Sequence, residues 1–406
     1  MNKNQNIADI RLLSLKSLKD VRREISNIGI DSCCLNSLAM KCNFIVVKIS
    51  HLKPASCNII KQAALSVGTD AAVHRDVITG EKKESNLILF GSLKEIERIA
   101  EKLEGQPFNL DSISHKLRFL VNGSKGSRYL KTSSREIELG KKVLIMGVLN
   151  VTSDSFSDGG KFLEKEKAVK RALEMVEEGA DIIDIGGESS RPGSTPISLD
   201  EELTRVLPVL DELKEKIDVP ISIDTYKSAV AEKALESGAE IVNDISGLRF
   251  DERMVEIVRE KKAGVVIMHM QGTPKNMQEH PYYNQVVEEI YNFLKERVKF
   301  AISEGIEDKR IIVDPGIGFG KRLEDNLEIL NRIKEFKSLG FPLLVGASRK
   351  SFIGHILNLP VEKRLEGSLA ACAIALEGGV DIVRVHDVSA TKEFIDMFES
   401  IRGRKQ

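Results

Sequence analysis

Three polar residues stand at the ends of apolar runs: Asp224 in PISIDT (220 to 225), Asn243 in EIVNDISG (240 to 247) and Asp314 in RIIVDPGIGFG (310 to 320). A carboxylate accepts two parallel hydrogen bonds from an N–H and an NH2 of one heterocycle, and an amide offers a donor and an acceptor to the same plane. A guanine-like or pterin-like ring is the ligand this set fits. Selectivity would follow because a wrong ring leaves buried groups unpaired. Arg384 and His386, two apart in DIVRVHD, form a second set with Lys350 of GASRK. Residues two apart on a strand share a face. These groups fit a phosphorylated ligand.

A lone Asp or Asn at a strand end is as often a helix cap or a turn former. The number of such ends argues otherwise. From Lys142 onward a short apolar run, a polar or Gly-rich ending and a charged amphipathic segment repeat. The runs are VLIMGVLNV (143 to 151), DIIDIGG (181 to 187), PISIDT, EIVNDISG, GVVIMHM (264 to 270), RIIVDPGIGFG, PLLVGAS (342 to 348) and DIVRVHD (381 to 387). Strands alternating with helices require a parallel sheet with right-handed crossovers, and eight such units predict a closed (β/α)8 TIM barrel rather than an open doubly wound sheet. In that fold the C-terminal strand ends converge on the active site, and the loops after strands seven and eight recur as a phosphate site.

The first part of the chain reads differently. FIVVKI (44 to 49) and NLILFGS (86 to 92) read as strands, and SCNIIKQAALSVG and SLKEIERIAEKLEG as helices, the second with a Ser92/Glu95 capping box. A small α/β domain of unassigned role is expected over residues 1–130, with the barrel over 131–406. The polar stretch 122 to 136 reads as the linker.

The chain has 406 residues, 60 Lys+Arg against 61 Asp+Glu, and 42% hydrophobic residues. Such a balance offers no basic field for nucleic acid and no acidic tail. There is no apolar run long enough to span a membrane and no secretory leader pattern at the N-terminus, so a cytoplasmic location is expected. Four of five cysteines precede residue 60 without metal-finger spacing, and reduced structural thiols are expected.

The segments LIMGVLNVTSDSFSDGG and GADIIDIGGESSRPGS, followed in order by SIDT, NDISGL, MHMQGTP, VDPGIGFGK, GASRKSFIG and RVHD, resemble the dihydropteroate synthase family over about residues 140 to 400. The resemblance implies condensation of 6-hydroxymethyl-7,8-dihydropterin diphosphate with p-aminobenzoate, giving 7,8-dihydropteroate and diphosphate, with Mg2+. It implies that Asp224, Asn243, Asp314 and Lys350 hold the pterin, with Ile245 and Met268 as further substrate contacts. Ser190, Arg384 and His386 fall to the diphosphate side, and Asn150 to the magnesium. Arg191, Pro192, Phe319 and Ser348 are the candidates to shape the p-aminobenzoate pocket. Lys350, Arg384, His386 and Asp224 are the candidate catalytic residues, and a homodimer is the expected assembly. Ser190 stands where the family often has Thr, which keeps the hydroxyl and drops a methyl.

An aromatic amine is nucleophilic at neutral pH, so the hard step is parting the pterin methylene from its diphosphate. Leaving-group stabilisation, a dissociative path and closure of the Ser/Asp/Gly loop after Asn150 are therefore expected. A methyltransferase on a related barrel is the main rival, and it would leave RPGS, SRK and RVHD without a diphosphate to hold. A pterin-binding protein without turnover is a rival of another class, separated by a diphosphate-release assay.

Overall fold

The computed structural model describes residue 11, residues 13–15, 17–122, 128–151, 161–191 and 193–402. The chain divides into two compact units, residues 1–125 and 126–406. The first contains α1 (Leu18–Asn27), α2 (Ser32–Lys41), β1 (Phe44–Leu52), α3 (Pro54–Ser66), β2 (Asp70–Val73), β3 (Ser85–Ser92), α4 (Leu93–Leu103) and α5 (Leu110–Asn122). β3 is the central strand, antiparallel to both β1 and β2. Leu87 and Leu89 of β3 are buried in one cluster with Ile60, Ile96, Ile99 and Leu117 from the helices. The Ser92/Glu95 capping box is present: Ser92 Oγ accepts from the Glu95 amide at 3.3 Å, and Glu95 Oε2 from the Ser92 amide at 2.7 Å.

The second unit opens with a hairpin, β4 (Arg128–Lys131) and β5 (Glu136–Leu139), where a linker was expected. Leu130 and Leu139 explain the difference, because both are buried against the innermost residues of the barrel. The hairpin closes the end opposite the polar strand ends. Thr132 Oγ1 donates to Glu240 at 2.5 Å, and Arg310 to the Thr132 carbonyl at 2.7 Å, both partners lying just before strands.

Eight parallel strands follow: β6 (Leu144–Asn150), β7 (Ile182–Gly186), β8 (Ile221–Asp224), β9 (Ile241–Asp244), β10 (Gly264–Met268), β11 (Ile311–Asp314), β12 (Leu344–Val345) and β13 (Ile382–Val385). They lie in one sheet, ordered β11-β10-β9-β8-β7-β6-β13-β12, and a parallel bridge between Val313 and Leu343 joins its two ends. This is the expected (β/α)8 barrel. The surrounding helices are α6 (Lys161–Glu177), α7 (Leu199–Leu213), α8 (Ser228–Glu236), α9 (Met254–Glu260), α10 (Val286–Ser303), α11 (Leu323–Asn331), α12 (Ser351–Leu357), α13 (Leu365–Glu377) and α14 (Val388–Ile401). Among the described residues no helix is long and apolar enough to cross a membrane.

Strand alternation builds two cores and one site. Ile145, Ile183, Ile223, Val242, Ile267, Val313 and Val383 face outward and pack with helical residues such as Val206, Ile290 and Ile395. Leu144, Met146, Ile182, Ile241, Val266, Ile312, Leu344 and Ile382 face inward and fill the lower barrel. Two residues further along, the inward positions become polar on several strands, at Asp184, Asn243, Asp314 and Arg384, and on β8 Asp224 follows the buried Ser222. One periodicity therefore produces both the apolar plug and the polar floor above it.

Candidate active site

Arg384 organises the floor. Its Nε donates to Asp184 Oδ2 at 2.6 Å and its Nη2 to Asp224 Oδ2 at 2.7 Å. Asn243 Nδ2 donates to the same Asp184 oxygen at 3.0 Å. All three partners are buried, Asp184 completely. Burial opposes the charge of Arg384, but the two carboxylates outweigh it and raise its pKa. Burial, reinforced by the neighbouring carboxylates of Asp184, Glu202 and Asp244, pushes Asp224 up to about 7 against the pull of Arg384. Asp184 is the member of this set that sequence reasoning missed. The signal was available, since Asp184 shares a face with Ile182 in a strand read correctly.

Asp314 closes β11 and is buried, and its Oδ1 accepts from the Gly316 amide at 2.7 Å. Burial raises its pKa too. The loop that follows lies directly on the end of β10. Gly316 has a φ of +68°, and a Cβ there would stand 2.0 Å from the His269 carbonyl oxygen. Only glycine allows that approach. Lys321 fastens the same loop from beneath, with Nζ 2.9 Å from the Phe319 carbonyl and 3.0 Å from His269 Nδ1. Phe319 is thereby held in a small apolar cluster with Ile245, Met268, Met270 and Met277.

Lys350 begins α12 and reaches back across the loop. Its Nζ bonds the Ile317 carbonyl and stands 4.3 Å from the centre of the Phe319 ring. Burial lowers its pKa to about 7. Ser348 and His386 meet at the neighbouring strand ends, with 3.1 Å between Ser348 Oγ and His386 Nδ1. Burial, then the positive charge of Arg384, lowers His386 to about 4, so its ring is neutral at neutral pH. Arg349 turns away from the site and grips Asp387 through two hydrogen bonds of 2.9 and 2.5 Å.

Across the mouth, a shallow cleft is lined by Ser189, Ser190, Asp224, Tyr226 and Ile245. Its far wall is a charged knot: Lys227 Nζ donates at 2.7 Å to both Glu188 and Glu202, and Tyr226 Oη to Glu188 at 2.6 Å. Lys227 also bonds the Ile197 carbonyl at 2.8 Å, which ties the loop after β7 to the barrel. Arg191 is exposed on that loop. Pro192 and the Ser/Asp/Gly segment 152–160 lie outside the described residues.

Asn150 ends β6 beside Gly186; a Cβ on Gly186 would be 3.8 Å from Asn150 Oδ1 and 3.6 Å from the Asp224 Cβ. Its amide oxygen is a hard donor of the kind magnesium takes. Among the described residues no three His, Cys, Asp or Glu side chains converge as a metal-binding group.

A family model described as pterin binding enzyme matches residues 146–386. Dihydropteroate synthase of Clostridium beijerinckii is 47% identical over 276 residues, which span 68% of this chain and 100% of that protein. The chain belongs to the dihydropteroate synthase family. It is thus a transferase of folate biosynthesis carrying the family's pterin-binding barrel. A dihydropteroate synthase from Burkholderia cenocepacia, solved in complex with 7,8-dihydropteroate, superposes with a TM-score of 0.62 at 38% identity, over 68% of this chain and 97% of that one. A probable bifunctional folylpolyglutamate synthase/dihydropteroate synthase of Haloferax volcanii is 36% identical over 92% of this chain and 45% of that protein. The barrel unit alone cannot supply such a share, so that match extends into the N-terminal unit.

Proposed function

We propose that the barrel condenses 6-hydroxymethyl-7,8-dihydropterin diphosphate with p-aminobenzoate, releasing diphosphate and forming 7,8-dihydropteroate. The observation that carries the reading is the set of buried polar side chains Asp224, Asn243, Asp314 and Arg384 at the inner ends of four strands, with Arg384 bonded to Asp224 and, through Asp184, linked to Asn243. A flat ring with adjacent N–H and NH2 donors satisfies two carboxylates and an amide at once. In this reading Asp314 and Asn243 take the ring edge, Met268, Ile245 and Phe319 bound its faces, and Lys350 supplies a hydrogen bond from above. Because Asp224 already bonds Arg384, the ring enters by exchanging one partner for another.

That exchange has a chemical use. When a ring donor takes Asp224, the outer nitrogens of Arg384 are freed for the diphosphate while its Nε stays on Asp184. Departure of the diphosphate leaves positive charge on the pterin methylene, which the ionised Asp224 favours electrostatically. His386 is neutral, so it assists the leaving group as a hydrogen-bond donor oriented by Ser348 rather than as a cation. Ser190 joins Arg384 and His386 on the diphosphate side, and the amine of p-aminobenzoate then attacks, with Arg191, Pro192, Phe319 and Ser348 shaping its pocket. Magnesium, when bound with the diphosphate, would offset its charge, with Asn150 Oδ1 as the protein's ligand. A homodimer in the cytoplasm is the proposed setting, and light scattering on the purified protein tests the assembly.

The deciding experiment is incubation of the protein with the pterin diphosphate, p-aminobenzoate and Mg2+. Stoichiometric appearance of dihydropteroate and diphosphate is expected. Binding of the pterin without turnover would instead favour a non-catalytic pterin-binding protein.

A further inference from the structure

Asp184 touches none of the groups at the rim, yet two of the residues that face the ring end on it. Arg384 Nε and Asn243 Nδ2 converge on one oxygen of this carboxylate, Oδ2, at 2.6 and 3.0 Å. Asp184 is fully buried at the level beneath Asp224, and its register partner on β8 is Ser222, also fully buried. A carboxylate paired with a guanidinium is an acceptor only. The end of the Asn243 amide that faces it must therefore be the NH2 end.

We propose that Asp184 is the positioning residue of the ring site, fixing which edge of the Asn243 amide is presented to the ligand and where the Arg384 guanidinium pivots. The proposal rests on the pterin reading above and adds to it the source of the site's hydrogen-bond polarity. An amide is nearly symmetric in shape, so nothing in its packing distinguishes oxygen from nitrogen. Asp184 makes the distinction by accepting from one hydrogen of Nδ2. The carbonyl oxygen and the second hydrogen are left for the ring, in the order that a neighbouring ring donor and ring acceptor require. Without Asp184 the amide can turn over, and half of the orientations would set like groups against each other. The same oxygen holds Arg384 by Nε, so its Nη2 can leave Asp224 without the side chain leaving the site.

Since both donors use a single oxygen, an amide in place of the carboxylate can serve both, whereas a methyl group can serve neither. That separates positioning by an acceptor from a need for charge. Asp184→Asn is expected to bind 6-hydroxymethyl-7,8-dihydropterin, measured by calorimetry, within about threefold of the unaltered protein. Asp184→Ala is expected to lose about tenfold or more, the size of one charge-assisted hydrogen bond. For both variants the KM of p-aminobenzoate at saturating pterin diphosphate should stay within about twofold of the unaltered protein, because neither partner of Asp184 faces that pocket. Circular dichroism reports folding. Loss of pterin affinity in Asp184→Asn beyond tenfold would overturn the proposal, and this variant decides the matter if Asp184→Ala does not fold. Full pterin affinity in a folded Asp184→Ala would also overturn it, as would equal changes in both substrates' KM. Failure of the unaltered protein to bind the pterin would count against the pterin reading itself, a separate outcome.

Discussion

Arg384 and Asp224 stand 160 positions apart in the chain, and Nη2 of the first donates to Oδ2 of the second at 2.7 Å. The bond links the last barrel strand to the third and sets a positive charge against the burial that raises the pKa of Asp224. It also means that the ring site and the anion site share a group. Occupying one changes the other.

Ring affinity should therefore follow the ionisation of Asp224, which burial among other carboxylates raises to about 7. The ionised form is the better acceptor for a ring N–H. Pterin affinity is expected to rise as pH increases from about 6 to 8, and calorimetry in that range reads it directly. Asp224→Asn should bind more weakly and flatten the profile. The stability of the free protein should move the other way. A carboxyl whose folded pKa lies above its unfolded value stabilises the fold below about 4, and that contribution is lost as pH rises through about 7. A steep pH dependence persisting in Asp224→Asn would assign the titration to another group.

Asp314 allows a sharper substitution. Its Oδ1 accepts from the Gly316 amide at 2.7 Å, which leaves Oδ2 for the ring. Asp314→Asn keeps an oxygen for the loop only by turning its NH2 toward the ring donors. A loss of about 2 kcal/mol in pterin binding is expected, with the loop intact. Calorimetry and a crystal structure of the variant would check both halves.

Replacing Arg384 should cost stability as well as binding. Arg384→Ala removes the common partner of Asp184 and Asp224 and leaves two buried carboxylates facing each other, a loss of about 3 to 5 kcal/mol in comparable buried pairs. Denaturant unfolding near pH 7.5 should show it, and part should be recovered at pH 5.5, where Asp224 takes up a proton. Binding of the pterin diphosphate should fall further than binding of the pterin alcohol. Equal losses for the two ligands would make Arg384 a structural residue only.

Much of this was legible in the sequence because strand and helix periods are strong local signals. All eight barrel runs are legible, and their polar ends single out Asp224, Asn243 and Asp314 for a deep pocket and Arg384 with His386 for a phosphate corner. Asp184 was passed over since, inside IIDIGG, it reads as one polar residue in a buried strand and carries no motif of its own. The linker reading of 122–136 took in β4 and the turn because the polar residues there mask a single apolar anchor, Leu130, whose partners Ile137 and Leu139 fall beyond that stretch. The pairing of Arg384 with the floor rather than the rim was beyond reach. A side chain's direction past its strand end depends on partners distant in the chain.

The N-terminal unit supplies the last prediction. Residues 1–125 carry a buried core of their own, and the hairpin that seals the base of the barrel belongs to residues 126–406. The Clostridium beijerinckii relative is matched over its whole length by 68% of this chain, so a dihydropteroate synthase of that family exists at about the length of the barrel unit. Each candidate site residue lies beyond Leu144, and the closed barrel has no strand edge that needs an added strand. A chain beginning at Gly126 is therefore expected to fold and to form dihydropteroate with a kcat within about threefold of the full chain, with any loss falling on thermal stability or solubility. Cutting nearer Arg135 would remove β4, expose the barrel plug and leave Glu240 without Thr132, and should unfold the base. Comparing the two truncations by circular dichroism and product formation separates the roles. A folded but inactive protein beginning at Gly126 would show that the N-terminal unit takes part in catalysis.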